Sequence, residues 1–154
     1  MARWEKDHSW NDFKETIQRR GKALRVDLIF ENGYLIVPHR TKYWRACSGI
    51  KGKYDPIPVG YYIAHTFRVR NEAAMKRDGV GFSVNLDPLF ATNRNLLRIH
   101  PDGITGGSKI GTRGCIGIQE KCQEANNVLK SFFRKPTDIV YLHVINNTNV
   151  PSPD

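Results

Sequence analysis

A histidine closes one motif in the middle of this chain and a cysteine opens the next. The first is Leu97-Arg98-Ile99-His100-Pro101-Asp102-Gly103, and the second is Gly111-Thr112-Arg113-Gly114-Cys115-Ile116-Gly117-Ile118. The thiolate is the reactive form of cysteine, and an imidazole within reach takes its proton and holds the ion pair. Cys115 is therefore expected to be a nucleophile and His100 its base. Gly114 lets the backbone come close to a bound carbonyl and offers N–H groups to a developing oxyanion.

The other cysteines and histidines have plainer readings. Cys122 falls on an apolar helical stripe and reads as a core thiol. His65 is expected to end a strand and to line the same cleft, which makes it the main competitor for the role of base. His143 sits inside an apolar strand and reads as packed, His39 is a weaker rival, and His8 belongs to the N-terminal leader. Residues 105–112 are glycine-rich but lack the Gly-Lys-Ser/Thr order of a phosphate loop, so they are expected to shape the cleft. No histidine or cysteine pair has zinc-ligand spacing, so no metal is expected. Thiol chemistry of this kind requires no organic cofactor.

Around these motifs the pattern is mostly that of strands. Asn32-Gly33 between apolar runs is a strong hairpin signal, joining strands over 23–30 and 34–38. Residues 43–46, 61–65, 79–84 and 96–100 are further strand candidates, with a helical turn expected over 71–77. Pro101 biases His100 toward extended geometry and ends that ladder. Ile118, Cys122, Ala125, Leu129 and Phe132 share one stripe, so an amphipathic helix is expected over about 119–134. Residues 138–145 are apolar on both faces and read as a buried strand. Trp10, Phe13 and Ile17 after Ser9 suggest a short N-terminal helix over 10–20. The organisation expected is a helical leader over 1–22, a catalytic domain over 23–146 and a polar tail over 147–154.

Composition bounds the partners. The chain has 154 residues, 40% of them hydrophobic, which suits one domain with a real core. Its formal net charge of +9 favours an anionic partner such as nucleic acid, acidic lipid or an acidic wall polymer, or simply a soluble basic surface. No stretch approaches the length of a membrane span, and the charged start shows no signal peptide. Three cysteines without a C-x-x-C pair leave at least one free thiol.

The ordered motifs resemble the L,D-transpeptidase catalytic domain, whose hallmark is a histidine followed by a Ser/Thr-His-Gly-Cys segment. His100 matches the first histidine, and Thr112-Arg113-Gly114-Cys115 matches the segment. Upstream, Ser48-Gly49 and then Pro56-Ile57-Pro58-Val59-Gly60-Tyr61-Tyr62-Ile63 are similar to the family's Ser-Gly and Thr-Pro-x-Gly stretches. Together these anchors span roughly residues 24–145. Arg113 replaces the second motif histidine, the gap between His100 and Thr112 is short, and Gly117 stands where Arg or Asn is common. These departures look more like the compact branch found among type VI secretion effectors.

The resemblance implies a mainly β fold, a β-sandwich-like mixed sheet with the post-cysteine helix packed on it. It implies a peptidoglycan stem tetrapeptide as substrate and L,D-carboxypeptidase, transpeptidase or D-amino acid exchange as the reaction. Arg113 would act as a carboxylate clamp, with Thr112, Ser108, Tyr62 and His65 lining the substrate site. A backbone carbonyl would orient His100, ahead of Asp102 or Ser108. An antibacterial effector of this kind would be exported without a signal peptide, act in the periplasm of a target bacterium, and have a secretion-machine component and an immunity protein as partners. Two rivals stand beside it. One is a non-catalytic basic module binding wall or nucleic acid through Trp4, Trp10 and Trp44, although no nucleic-acid motif is present. The other is a cysteine amidase or peptidase cutting another stem bond.

Overall fold

A computed structural model of the chain describes residues 25–103 and 112–147. The expected N-terminal helix, Ser108 and most of the polar tail lie outside the described residues. The strands are β1 (Leu28–Glu31), β2 (Tyr34–Val37), β3 (Lys42–Ser48), β4 (Gly60–Val69), β5 (Lys76–Arg77), β6 (Val80–Pro88), β7 (Leu97–Pro101), β8 (Ile116–Ile118) and β9 (Ile139–Val144), with one α-helix, α1 (Cys122–Ser131).

Local chemistry explains the hairpins. Asn32 and Gly33 both have positive φ, and the antiparallel pair Glu31↔Tyr34 closes directly over them, as a two-residue primed turn requires. Asp78 and Gly79 repeat that solution between β5 and β6. The helical turn expected over 71–77 is thus one 3-10 turn, Ala73–Met75, followed by the first strand of this hairpin.

The sheet order is β4-β9-β1-β2-β3-β8-β7-β6, and β6 then pairs antiparallel with β4 from Tyr62↔Pro88 to Val69↔Phe82. Eight strands therefore close into a barrel, with β5 appended outside. This corrects the β-sandwich-like expectation, while the mainly β content stands. An inward-facing strand has the same alternating pattern in either architecture, so residue periodicity does not separate them. What separates them is the β4–β6 pairing, which leaves the main sheet without an edge. A bulge at Thr66 (φ 60°) between His65 and Phe67 helps β4 bend far enough to close it.

The barrel is filled. Phe30, Leu35, Trp44, Phe82, Val84, Ile99, Ile116 and Leu142 point inward and are fully buried. Helix α1 follows the end of β8 and precedes the start of β9, so it covers one end of the barrel with Cys122, Ala125 and Leu129. Glu124 on α1 accepts a hydrogen bond from Trp44 Nε1 at 3.0 Å. The opposite end is stoppered by Ile57, Leu89 and Tyr62, whose ring packs edge-on against Phe90. Strand β9 alternates exposed and buried residues rather than burying both faces, because its outer side is not covered along its length. His143 lies on that outer side, stacked on Tyr61 at 4.1 Å. Trp44 is buried, so it presents no stacking surface to a nucleic acid.

Candidate active site

With the lumen packed, the chemistry-bearing side chains lie on the outer wall. Strands β7 and β8 run parallel, with Ile99 opposite Ile116 and His100 opposite Gly117. Ile99 and Ile116 face the core, so alternation puts Arg98 and His100 on the other side of β7 and Gly117 on that same side of β8, with Cys115 in the turn just before β8. Cys115 thus stands beside Arg98, one diagonal step from His100. A bare glycine at 117 lies between the histidine and the next strand. A Cβ there would meet Thr112 Cγ2 at 2.7 Å and Asp102 Cβ at 2.9 Å.

His100 is oriented by its own chain. His100 Nδ1 donates to the carbonyl oxygen of Pro101 at 2.6 Å. A carbonyl only accepts, so the proton sits on Nδ1 and the lone pair on Nε2. Burial pushes the His100 pKa down; the Pro101 carbonyl and Asp102 oppose that shift, while Arg98 and Arg70 reinforce it. Asp102 itself is committed elsewhere, accepting from Cys47 Sγ at 3.3 Å and Gln119 Nε2 at 3.2 Å.

Cys115 is half-buried, and its Sγ points toward the carbonyl of Leu96 at 3.7 Å. Burial raises its pKa above the ordinary thiol range, and the Arg98 amide together with the charges of Arg98 and Arg94 pulls it back part of the way. Burial thus favours a neutral thiol and a neutral imidazole, and no hydrogen bond joins the two among the described residues, the Sγ contact being the Leu96 carbonyl. Cys122, by contrast, is fully buried on α1, and burial with Asp78 beside it pushes its thiol up to about 12.

The turn before Cys115 is fixed by one hydroxyl. Thr112 Oγ1 donates to the Cys115 carbonyl at 2.6 Å and accepts from the amides of Gly49 at 3.1 Å and Gly114 at 3.2 Å. Its full hydrogen-bonding capacity is used in shaping the turn. The Gly114 amide, expected in an oxyanion hole, is spent on the same hydroxyl. The amide of Cys115 finds no acceptor among the described residues. Ser48 ties this turn to the loop after β3, donating to the Gly114 carbonyl at 3.3 Å and accepting from the Ile57 amide at 2.8 Å.

Three other expected site residues are placed differently. Tyr62 faces inward, is fully buried and donates to the Pro58 carbonyl at 2.6 Å, so it holds the barrel end. Arg113 is exposed, with its guanidinium over the Tyr54 ring at 5.9 Å. His65 lies in the interior of β4, not at its end. Three strand spacings, roughly 14 Å, separate it from β8. Both its ring nitrogens are occupied, Nε2 by Asp87 at 3.0 Å and Nδ1 by Thr66 Oγ1 at 2.9 Å. That removes it as the base for Cys115.

Arg94 is the residue that motif spacing does not single out. Its guanidinium donates to the carbonyls of Pro56 at 3.0 Å and Asp55 at 3.3 Å and packs directly on Gly114. A side chain at 114, where φ is +119°, would collide with it. Beyond Leu96 a shallow groove of about 120 Å³ runs along the outer face, lined by Asn85, Leu86, Asp87, Leu96, Leu97 and Arg98. Among the described residues no group of three His, Cys, Asp or Glu side chains is arranged to hold a metal ion. No helix among them is long and apolar enough to cross a membrane. No protein-family model, curated protein or solved structure matches the chain.

Proposed function

We propose that this protein is a cysteine-dependent enzyme modifying peptidoglycan stem tetrapeptides, as an L,D-carboxypeptidase or by L,D-transpeptidation and D-amino acid exchange. The observation that supports it is that Cys115, in the turn leading into β8, stands next to the parallel strand β7 that carries His100, a buried histidine whose Nδ1 is tied to the Pro101 carbonyl and whose Nε2 is available as a base. Motif resemblance supplies the substrate.

The mechanism follows from the two neutral groups. Nε2 of His100 takes the thiol proton as Sγ attacks the carbonyl that joins the diamino acid to the terminal D-alanine. The amide of Cys115 stabilises the oxyanion, and the nearby charge of Arg94 favours it further. His100 returns the proton to the departing D-alanine amine, leaving a thioester on Cys115. Water, a D-amino acid or a stem amine then resolves the thioester, with His100 again accepting the proton. The intended setting is the periplasm of a target bacterium, reached as a secreted antibacterial effector, with an immunity protein protecting the producer.

Mass spectrometry of muropeptides incubated with the protein tests this. Loss of one D-alanine from tetrapeptides, or its replacement by an added D-amino acid, is expected. A different lost fragment assigns another bond, and unchanged muropeptides sink the enzyme reading. Steeply salt-dependent DNA binding together with unchanged muropeptides would favour a binding module.

A further inference from the structure

We propose that the groove beside Cys115 binds the amino-carboxylate end of an amino acid, with the carboxylate on Arg98 and the ammonium on Asp87. Its place in the reaction rests on the reading of Cys115 as an acyl-transfer nucleophile; the binding itself does not.

Strands β6 and β7 pair with Asn85 opposite Arg98 and Leu86 opposite Leu97. Because Leu86 and Leu97 face the core, Asn85, Asp87, Leu96 and Arg98 share the outer face. Asp87 and Arg98 are diagonal neighbours there, about 7–8 Å apart in such a ladder. They do not pair with each other, and among the described residues no carboxylate lies within ion-pair distance of Arg98. A half-buried guanidinium without a counter-ion offers its planar fork to a carboxylate.

The opposite charge is built in. His65 Nε2 holds Asp87 Oδ2 at 3.0 Å, and Thr66 on the bulge of β4 holds the other ring nitrogen at 2.9 Å. Asp87 lines the groove, its Oδ1 has no hydrogen bond among the described residues and is the acceptor proposed for the ammonium, and Asn85 lies opposite Arg98 on the same face. A volume of about 120 Å³ is of the size of the head of one amino acid. Leu96 lines the groove and its carbonyl lies 3.7 Å from Cys115 Sγ, so an occupant lies close to the acylated sulfur. This placement assigns His65 a role after all, as the positioning residue of Asp87.

Two sources carry such a zwitterion: a free amino acid acting as acyl acceptor, or the side-chain end of a diamino acid within the stem. The test is an amide chemical-shift titration of the full chain carrying Cys115→Ala, which reads binding without turnover. D-Alanine serves as one probe and L-Ala-γ-D-Glu-meso-diaminopimelate as the other. Shifts centred on Asn85, Asp87, Leu96 and Arg98 with either probe support the proposal, and the tighter probe identifies the source. D-Alaninamide and N-acetyl-D-alanine, each lacking one charge, are expected to bind at least about tenfold more weakly than D-alanine. Arg98→Gln and Asp87→Asn should each weaken the bound probe by a similar factor, and Arg98→Lys by less, since it keeps the charge but not the fork. The spectra themselves report whether each variant is folded. No shifts in the groove with either probe, or equal affinity for D-alanine and its amide, overturn the proposal. An active enzyme whose Arg98→Gln variant binds unchanged defeats this inference alone. Groove binding in a protein inert toward muropeptides defeats only the enzyme reading.

Discussion

Nδ1 of His100 donates to the carbonyl of Pro101, the next residue of the same strand, at 2.6 Å. The orienting acceptor is thus main chain, which no side-chain substitution removes and which holds the imidazole in one tautomer. His100→Ala should lower D-alanine release from tetrapeptide muropeptides by about 10²–10⁴-fold, the range for a lost general base. Cys115→Ala should abolish release while the circular dichroism spectrum stays unchanged. Retained release by the cysteine variant would remove Cys115 from the mechanism.

The two shifts of the resting pair predict the pH profile. Burial favours neutral imidazole, so the acid limb of kcat/KM should have its midpoint below 6.5 and should vanish in His100→Ala. Burial also favours the protonated thiol, so iodoacetamide labelling of Cys115 should still be accelerating past pH 9. Stability follows the histidine's sign. A depressed folded-state pKa means the unfolded chain binds the proton first, so this contribution is complete above the unfolded value and is lost as pH falls through the folded one. The melting temperature should drop below about pH 6.5, and less steeply in His100→Gln, as a pH series of thermal melts will read.

Only one of the three thiols should react in the native state. Cys47 and Cys122 are buried, and the Cys122 thiol is pushed up to about 12, whereas Cys115 is half-buried at the wall. Intact-mass analysis after brief alkylation should show a single adduct, mapped to Cys115, and all three after denaturation. Arg94→Ala removes a charge that lowers the Cys115 pKa, so its labelling curve should move to higher pH. An unmoved curve would detach Arg94 from the site.

Gly117 is kept bare by Asp102 and Thr112, which a Cβ would meet at 2.9 and 2.7 Å. Gly117→Ala should cost roughly 1–3 kcal/mol, measured by urea unfolding, the usual penalty for overpacking. It should also lower activity, because the displaced groups lie on either side of His100 and the turn of Cys115. A variant of wild-type stability would contradict this packing.

Short-range chemistry was legible along the chain. Asn32-Gly33 announced its hairpin because both residues accept the positive φ that a primed turn needs. The stripe through Cys122, Ala125 and Leu129 announced α1, and its three residues do face the core. Asp78-Gly79 carried the same turn signal between β5 and β6, but Asn71 to Arg77 drew a helical reading because the strand before it is two residues long.

His100 and Cys115 could be chosen from residue type and neighbours, since nucleophile chemistry is a property of the groups themselves. Their common outward face could not, because it depends on a parallel register set by strands that are distant in sequence. The same holds for the barrel: β4 and β6 close it through pairings whose side-chain pattern a sandwich shares. Tyr62 illustrates the difference. Its position in a motif suggested a substrate contact, yet strand alternation turned it into the core once β4 joined both β6 and β9. Arg94, Arg98 and Asp87 gained their significance the same way, from being carried to the wall beside the sulfur by folding rather than from any spacing between them. Local conformational preferences are written residue by residue, whereas the neighbours of a side chain across a sheet are decided by non-local pairing and by what fills the interior.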